Sequence, residues 1–146
     1  SSLEPVEISH HVLCALRAND TPYENHGCDV ALRFSSDSFQ ETLLHLISYG
    51  KSKDSDVALN KDSFRKLLEV SQRWYLLLEV LEFAIVEETK FSEDGKNATQ
   101  KAVFFSTSDF SYQIFMHFVK DKVRCWRIED FDISPISPAY LDQYYE

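Results

Sequence analysis

The period of the hydrophobic pattern changes along the chain, and this change constrains the fold more than any other feature. Up to about residue 71, apolar residues recur every three or four positions, which is typical of amphipathic helices. From residue 81 to 133 they mostly alternate with their neighbours, which is typical of β-strands. No repeat or linker divides residues 1–146, so we expect a single domain of the α+β class.

Three segments of the first half are predicted to be helices. Their ranges are 5–18, 39–49 and about 60–71. Gly50 can end the second helix, and either Asn60 or Asp62 can cap the third. Residues 28–34 are short and apolar, so their pattern fits either a helix or a strand.

Four strands are predicted in the second half. Their ranges are 81–86, 98–107, 112–119 and 123–133. Asp94 and Gly95 form a strong hairpin-turn pair between the first two. Residues 74–80 are predicted to add a short strand before them, and the tail that starts at Ser134 is predicted to form a last helical turn.

The charge balance argues against two classes of partner. The chain has 15 Lys and Arg residues against 24 Asp and Glu residues, a net charge of -9. Nucleic-acid binding needs clustered cations, and the densest basic stretch, 120–127, is interrupted and followed by acidic residues. An anionic membrane surface would repel the chain for the same reason, and no apolar run approaches the ~20 residues that cross a bilayer. We therefore expect a partner that is neither nucleic acid nor membrane.

The cysteines indicate a compartment rather than a site. Cys14, Cys28 and Cys125 are too scattered for a CxxC redox or zinc motif, so they are expected to be free thiols in a reducing compartment. That compartment is the cytoplasm, or a plastid if a transit peptide has been removed before Ser1. His10 and Cys14 share a helix face and could begin a metal site. The sequence shows no further ligands, so a chance pairing on the helix surface is the better interpretation.

No signature of an enzyme class is present in the sequence. It lacks GxGxxG, GxxxxGK[ST], HExxH and GxSxG, so no cofactor and no metal are predicted. Arg33 and Arg127 could each steer an acidic ligand or pair with the surplus carboxylates. Glu129 and Asp130 alternate along a strand, which predicts opposite faces rather than a catalytic pair. His117, in the middle of a strand among aromatic residues, is the one candidate catalytic residue, as a general base.

Both faces of the predicted sheet are partly apolar. The third strand alternates an apolar face, from Tyr112 to Phe118, with a face that still includes Phe115 and Val119. In the fourth strand, alternation separates Trp126 and Ile128 from Phe131. Helices are expected to cover one face, and either a second copy of the chain or the C-terminal tail would cover the other. The predicted dimer or pocket residues are Phe115, His117, Val119, Cys125 and Trp126.

Two segments carry a resemblance to a known family. The first is ALRANDTPY (15–23) with His26-Gly27 and VALRFS (30–35), and the second is CWRIED (125–130). Together they resemble the N-terminal signature and the tryptophan-bearing last strand of a group of plant, algal and bacterial proteins. That group belongs to the nuclear transport factor 2-like superfamily, also called cystatin-like α+β. The charged stretch 50–60 departs from the group.

The resemblance implies more than the residue pattern does. It implies that the helices pack in the concave face of a bent antiparallel sheet, as a cone with an apolar cavity. It also implies frequent dimers through the open sheet face and a small apolar ligand as a possible partner. The group has no established catalytic residues, so none can be assigned to this chain.

Three hypotheses for the function follow from these observations. The first is a non-catalytic module that binds a ligand or a protein and forms a homodimer. The second is a small-molecule enzyme of the isomerase or dehydratase kind, with a polar group such as His117 in the cavity. The third is an adaptor that binds through the tail tyrosines Tyr140, Tyr144 and Tyr145. Whether the chain is an enzyme is open at this point.

Overall fold

The computed structural model describes residues 3–49, 51 and 56–136. Four helices come first: α1 (Pro5–Arg17), α2 (His26–Arg33), α3 (Asp37–Ser48) and α4 (Lys61–Val70). After a short 3-10 helix (Tyr75–Leu78) come four strands: β1 (Val80–Phe91), β2 (Asn97–Ser106), β3 (Ser111–Lys120) and β4 (Trp126–Pro135). The strands form one open antiparallel sheet in the order β1-β2-β3-β4. The predicted α+β class is confirmed.

The helices form where the sequence predicts them, with two refinements. Residues 28–33 of the ambiguous segment lie in helix α2, which Phe34 ends. Asn60 caps α4 by accepting hydrogen bonds from the backbone N–H groups of Asp62 and Ser63. The predicted cap Gly50 and the tail after residue 136 lie outside the described residues. No helix within the described ranges is long and apolar enough to cross a bilayer.

The short strand predicted over residues 74–80 is wrong. Residues 75–78 form a 3-10 helix, in which the N–H of Leu77 donates to the carbonyl of Trp74 at 2.9 Å and the N–H of Glu79 to that of Leu76 at 3.0 Å. These local bonds satisfy the backbone without a partner strand. Leu76 and Leu77 are both buried in the core, so the same apolar residues that suggested a strand pack as a helical turn.

The core lies between the helices and one face of the sheet. The core residues of β3 are Ile114, Met116 and Phe118, which occupy alternate positions and are at most 1% exposed. They belong to the strand face that was predicted to be apolar. Contacts of α1 with β1 and β2, and of α3 with β4, place the helices on this side. We call it the helix side of the sheet and the opposite side the outer face.

A one-residue bulge in β4 changes which residues share a face. His117 pairs with Asp130 and Phe118 with Ile128, so Glu129 has no partner on β3. The extra residue reverses the alternation and brings Phe131, which pairs with Met116, onto the helix side with Ile128. The prediction that Phe131 and Ile128 lie on opposite faces is therefore wrong.

A second irregularity lies in β1, where Glu87 and Glu88 interrupt the pairing rather than end the strand. The register shifts between Val86 and Lys90, and Glu87 adopts a positive φ of 64°. The amide of Gln100, which is fully buried, donates to the carbonyls of Val86 and Glu87 at 3.3 and 3.0 Å. Gln100 thus satisfies backbone groups that the bulge leaves without ladder bonds.

Helices α1 and α2 approach each other closely at Gly27. A Cβ atom at this position would lie 2.4 Å from the carbonyl oxygen of Ala15 and 2.7 Å from the side-chain oxygen of Asn19. The N–H of Gly27 also donates to the carbonyl of Asn19 at 3.0 Å. Only glycine fits this corner without a backbone shift.

We therefore predict that Gly27→Ala destabilises the protein. An alanine normally stabilises a helix relative to glycine, by as much as about 1 kcal/mol. Here the backbone clash reverses the sign, with an expected loss of about 1–3 kcal/mol in the free energy of unfolding. Urea denaturation of both proteins measures it, and a more stable variant would contradict the close approach.

Candidate functional site

The structure separates the five residues that were predicted to share a dimer or pocket face. Phe115, His117 and Val119 lie together on the outer face and are half-buried. Trp126 lies on the helix side, where its ring packs 5.7 Å from that of Phe91, and Cys125 is buried just before β4. The candidate site is therefore the part of the outer face around His117.

His117 connects a hydroxyl group to a carboxylate. The hydroxyl oxygen of Thr99, which is opposite on β2, lies 3.2 Å from Nδ1, and a carboxylate oxygen of Asp132 lies 3.4 Å from Nε2. Arg73 forms ion pairs with Asp130 and, at 3.7 Å, with Asp132. These contacts orient the imidazole along the outer face, away from the core between helices and sheet.

A shallow cavity of about 370 Å³ lies beside this imidazole and opens at the surface. Asn97, Thr99, Glu129 and Asp130 contribute its polar lining together with His117. The groups can accept hydrogen bonds and attract a cation, but 37% of the His117 side chain is exposed to water, which weakens such electrostatic interactions. The arrangement is better suited to surface contacts than to water-excluded chemistry.

Sequence reasoning missed Thr99 and Arg73 as partners of this group. Thr99 faces His117 because of the β2–β3 register, and Arg73 reaches β4 from the segment that follows α4. Neither relation has a signal in the local sequence.

The two arginines that were predicted as either ligand-steering or paired residues are paired. The guanidinium of Arg33 lies 3.2 Å from a carboxylate oxygen of Asp29, and that of Arg127 lies 3.1 Å from one of Asp121. The hydroxyl of Tyr23 donates to Asp29 at 2.5 Å, and this bond lowers the pKa of Asp29 and raises that of Tyr23. Both guanidinium groups are therefore already paired with a carboxylate.

The two segments that carry the family resemblance touch each other. The N–H of Ile128 donates to the carbonyl of Phe34 at 2.7 Å, and the N–H of Ser36 donates to the carbonyl of Ile128 at 2.8 Å. Arg127 adds a bond of 2.8 Å from its guanidinium to the carbonyl of Arg33. These bonds attach the segment between α2 and α3 to the edge of β4. We call this contact the β4 junction.

The first of these segments also builds the corner between α1 and α2. The side-chain oxygen of Asn19 accepts a hydrogen bond from the N–H of Cys28 at 3.0 Å, and that of Asp20 accepts one from the N–H of Asn25 at 2.9 Å. Both bonds satisfy backbone donors at the start of α2, which would otherwise lack partners. The residues of the resemblance therefore have structural roles.

Asp121 organises the turn between β3 and β4. Its carboxylate accepts hydrogen bonds from the N–H groups of Val123 and Cys125 at 3.0 and 2.9 Å and pairs with Arg127. The N–H of Cys125, followed by Arg127 and the N–H of Val123, stabilises the charged form, so the pKa of Asp121 is lowered.

The fold and this site define an α+β domain with an antiparallel meander, helices on one face and a partly apolar, partly polar outer face. Comparison of the chain with protein-family models, with curated proteins and with solved structures returned no match.

The β4 junction gives a stability prediction. Arg127→Met removes the bonds to the Arg33 carbonyl and to Asp121, and we expect it to lower the free energy of unfolding by about 1–3 kcal/mol. Arg124→Met, at an exposed position in the preceding turn, is the matched control and should change it by less than about 0.5 kcal/mol. Equal effects of the two substitutions in urea denaturation would argue against the junction.

The turn gives a pH prediction. Because the pKa of Asp121 is lower in the folded protein, its charge stabilises the fold above the pKa of an unfolded aspartate, about 3.9, and this contribution is lost as the pH falls through the folded pKa. Asp121→Asn should therefore be destabilising at neutral pH, and the difference from wild type should shrink in acid. Urea denaturation at several pH values measures this, with Asp109→Asn in the exposed β2–β3 turn as the control.

Proposed function

We propose that this protein is a non-catalytic binding module of the nuclear transport factor 2-like superfamily, and that it forms a homodimer through the outer face of its sheet. The order of elements, helices first and an antiparallel meander after them, is compatible with that superfamily. The contact between the two resembling segments gives them a shared structural role, which supports the same assignment.

One observation carries the binding part of the proposal. Phe115 and Val119 are apolar residues on the outer face, which faces away from the helices that cover the core. Val103, nearer the centre of this face, is already fully buried, so it adds no accessible apolar surface. A second copy is the favoured occupant because apolar residues there stand beside groups of both charge signs. Two copies of such a surface can be complementary to each other when a two-fold axis relates them.

The charges of this face support self-association. Accessible charges of both signs lie beside the apolar residues: Arg73 pairs with Asp130 and Asp132, and Arg127 pairs with Asp121. A stable interface buries about 800 Å² on each partner, which is more than Phe115 and Val119 provide. Neighbouring residues of β2 and β4 must therefore contribute.

The interior argues against the enzyme hypothesis. Among the described residues, the polar side chains buried on the helix side include Ser9 and Gln100, neither of which transfers protons at neutral pH. The half-buried His26 packs against Tyr23 at the start of α2. Burial raises the pKa of the Cys28 thiol to about 12, so it stays protonated. His117 lies on the outer face, outside the interior that this hypothesis requires. The small apolar ligand stays a prediction, and the tail tyrosines lie outside the described residues.

The dimer is tested by sedimentation velocity over low to high micromolar concentrations. We expect the wild type to be dimeric at the upper end and Val119→Asp to be monomeric, because a carboxylate in the contact would have to lose its water. Phe110→Asp is the matched control: Phe110 is 65% exposed in the β2–β3 turn, and the substitution should leave the dimer intact.

A wild type that stays monomeric at high micromolar concentration would overturn the dimer. Circular dichroism shows whether Val119→Asp is folded. If it is not, the milder Phe115→Ala is used, and it should weaken dimerisation by at least about tenfold, since each copy loses buried aromatic area. An unchanged dissociation constant for a folded Phe115→Ala would exclude this face.

A further inference from the structure

Helix α1 places a thiol against an imidazole at its surface. The sulfur of Cys14 lies 3.8 Å from Nδ1 and 3.9 Å from Nε2 of His10, one turn earlier in the helix. The His10 ring also packs against Phe83 of β1, with the ring centroids 5.5 Å apart and the ring planes at 66° to each other. Within the described residues no group of three or more potential metal ligands occurs, so the pair has no metal site around it.

The three cysteines differ in their access to solvent. Cys14 is half-exposed, whereas Cys28 is 0% and Cys125 is 8% exposed. Burial keeps the Cys28 thiol protonated far above neutral pH. Only Cys14 among the three combines access with an adjacent base, and the chain therefore contains its own unreactive controls.

The surroundings of the pair favour a reactive thiol. His10 lines an open groove of about 590 Å³ between α1 and β1, although Cys14 does not. Cys14 is itself half-exposed, so a small reagent can reach its sulfur from solvent. Among the charged residues on α1 are Glu7 one turn before His10 and Arg17 one turn after Cys14, and Arg17 stacks on Phe83 at 5.5 Å. From β1, the residues on this side are Phe83 and Ile85, which are uncharged.

We propose that Cys14 is a site of thiol modification by low-molecular-weight disulfides, with His10 as its base. A ring nitrogen of His10 takes the thiol proton, and the thiolate attacks one sulfur of the disulfide. A new sulfur–sulfur bond forms on Cys14 as the old one breaks. The released thiolate takes the proton back from His10, so no other reactant is needed.

The reaction is measured on the full chain with oxidised glutathione, and with iodoacetamide as an alkylating probe. Peptide mass spectrometry follows each cysteine over time. We expect Cys14 to react first at neutral pH and His10→Gln to lower its rate constant by about three- to tenfold. His11→Gln is the matched control: the His11 ring packs 5.6 Å from Phe34, and its loss should change the rate by less than about twofold.

Equal rates for His10→Gln and wild type, or modification of Cys28 or Cys125 before Cys14, would overturn the proposal. The wild-type pH profile is a second test that needs no variant. From about pH 8 to about pH 7 the rate should fall by less than about threefold, against the roughly eightfold expected for an unassisted thiol with a pKa of about 8.5. A fall of about eightfold would assign His10 a packing role only.

Discussion

The β4 junction is the contact on which the rest of the architecture depends. A strand at the edge of a sheet has unpaired backbone groups that need partners. On β4 the segment 34–36 supplies them through Ile128, and the indole of Trp74 donates to the carbonyl of Phe131 at 3.0 Å. The same bonds set where α3 begins, since Ser36 both bonds to Ile128 and caps α3 by accepting from the N–H of Phe39. The helical layer and the sheet are therefore joined by hydrogen bonds that involve backbone groups.

Regular periodicity made much of this fold predictable from sequence. The helical stripe around Ile8 and Val12 and the alternation along Ile114, Met116 and Phe118 report burial directly, because each period matches the geometry of its element. Those predictions are confirmed. The pattern fails where one residue breaks the period, as at Glu129, since a bulge has no fixed sequence signature.

The candidate site was less predictable than the fold, because its geometry depends on the register between neighbouring strands and on how the chain turns back between them. His117 is visible in the sequence as an isolated histidine in a strand. Its contacts with Thr99 and Asp132 exist only after β2, β3 and β4 are aligned. Trp126 pairs with Lys120, which lies on the helix side of β3, and so it is separated from Phe115, His117 and Val119 on the outer face. By contrast, the His10–Cys14 contact follows from helical spacing alone.

The contacts in this fold join residues that are either close together or very far apart in the sequence. Each strand pairs with the next one in the sequence, and such local hairpins close at a small cost in chain entropy. The bond between Arg127 and the carbonyl of Arg33 instead spans 94 residues. Long-range closures of this kind slow folding. Closure of the β4 junction needs β4 itself, so the helical layer cannot be attached to this edge of the sheet until that strand has been synthesised.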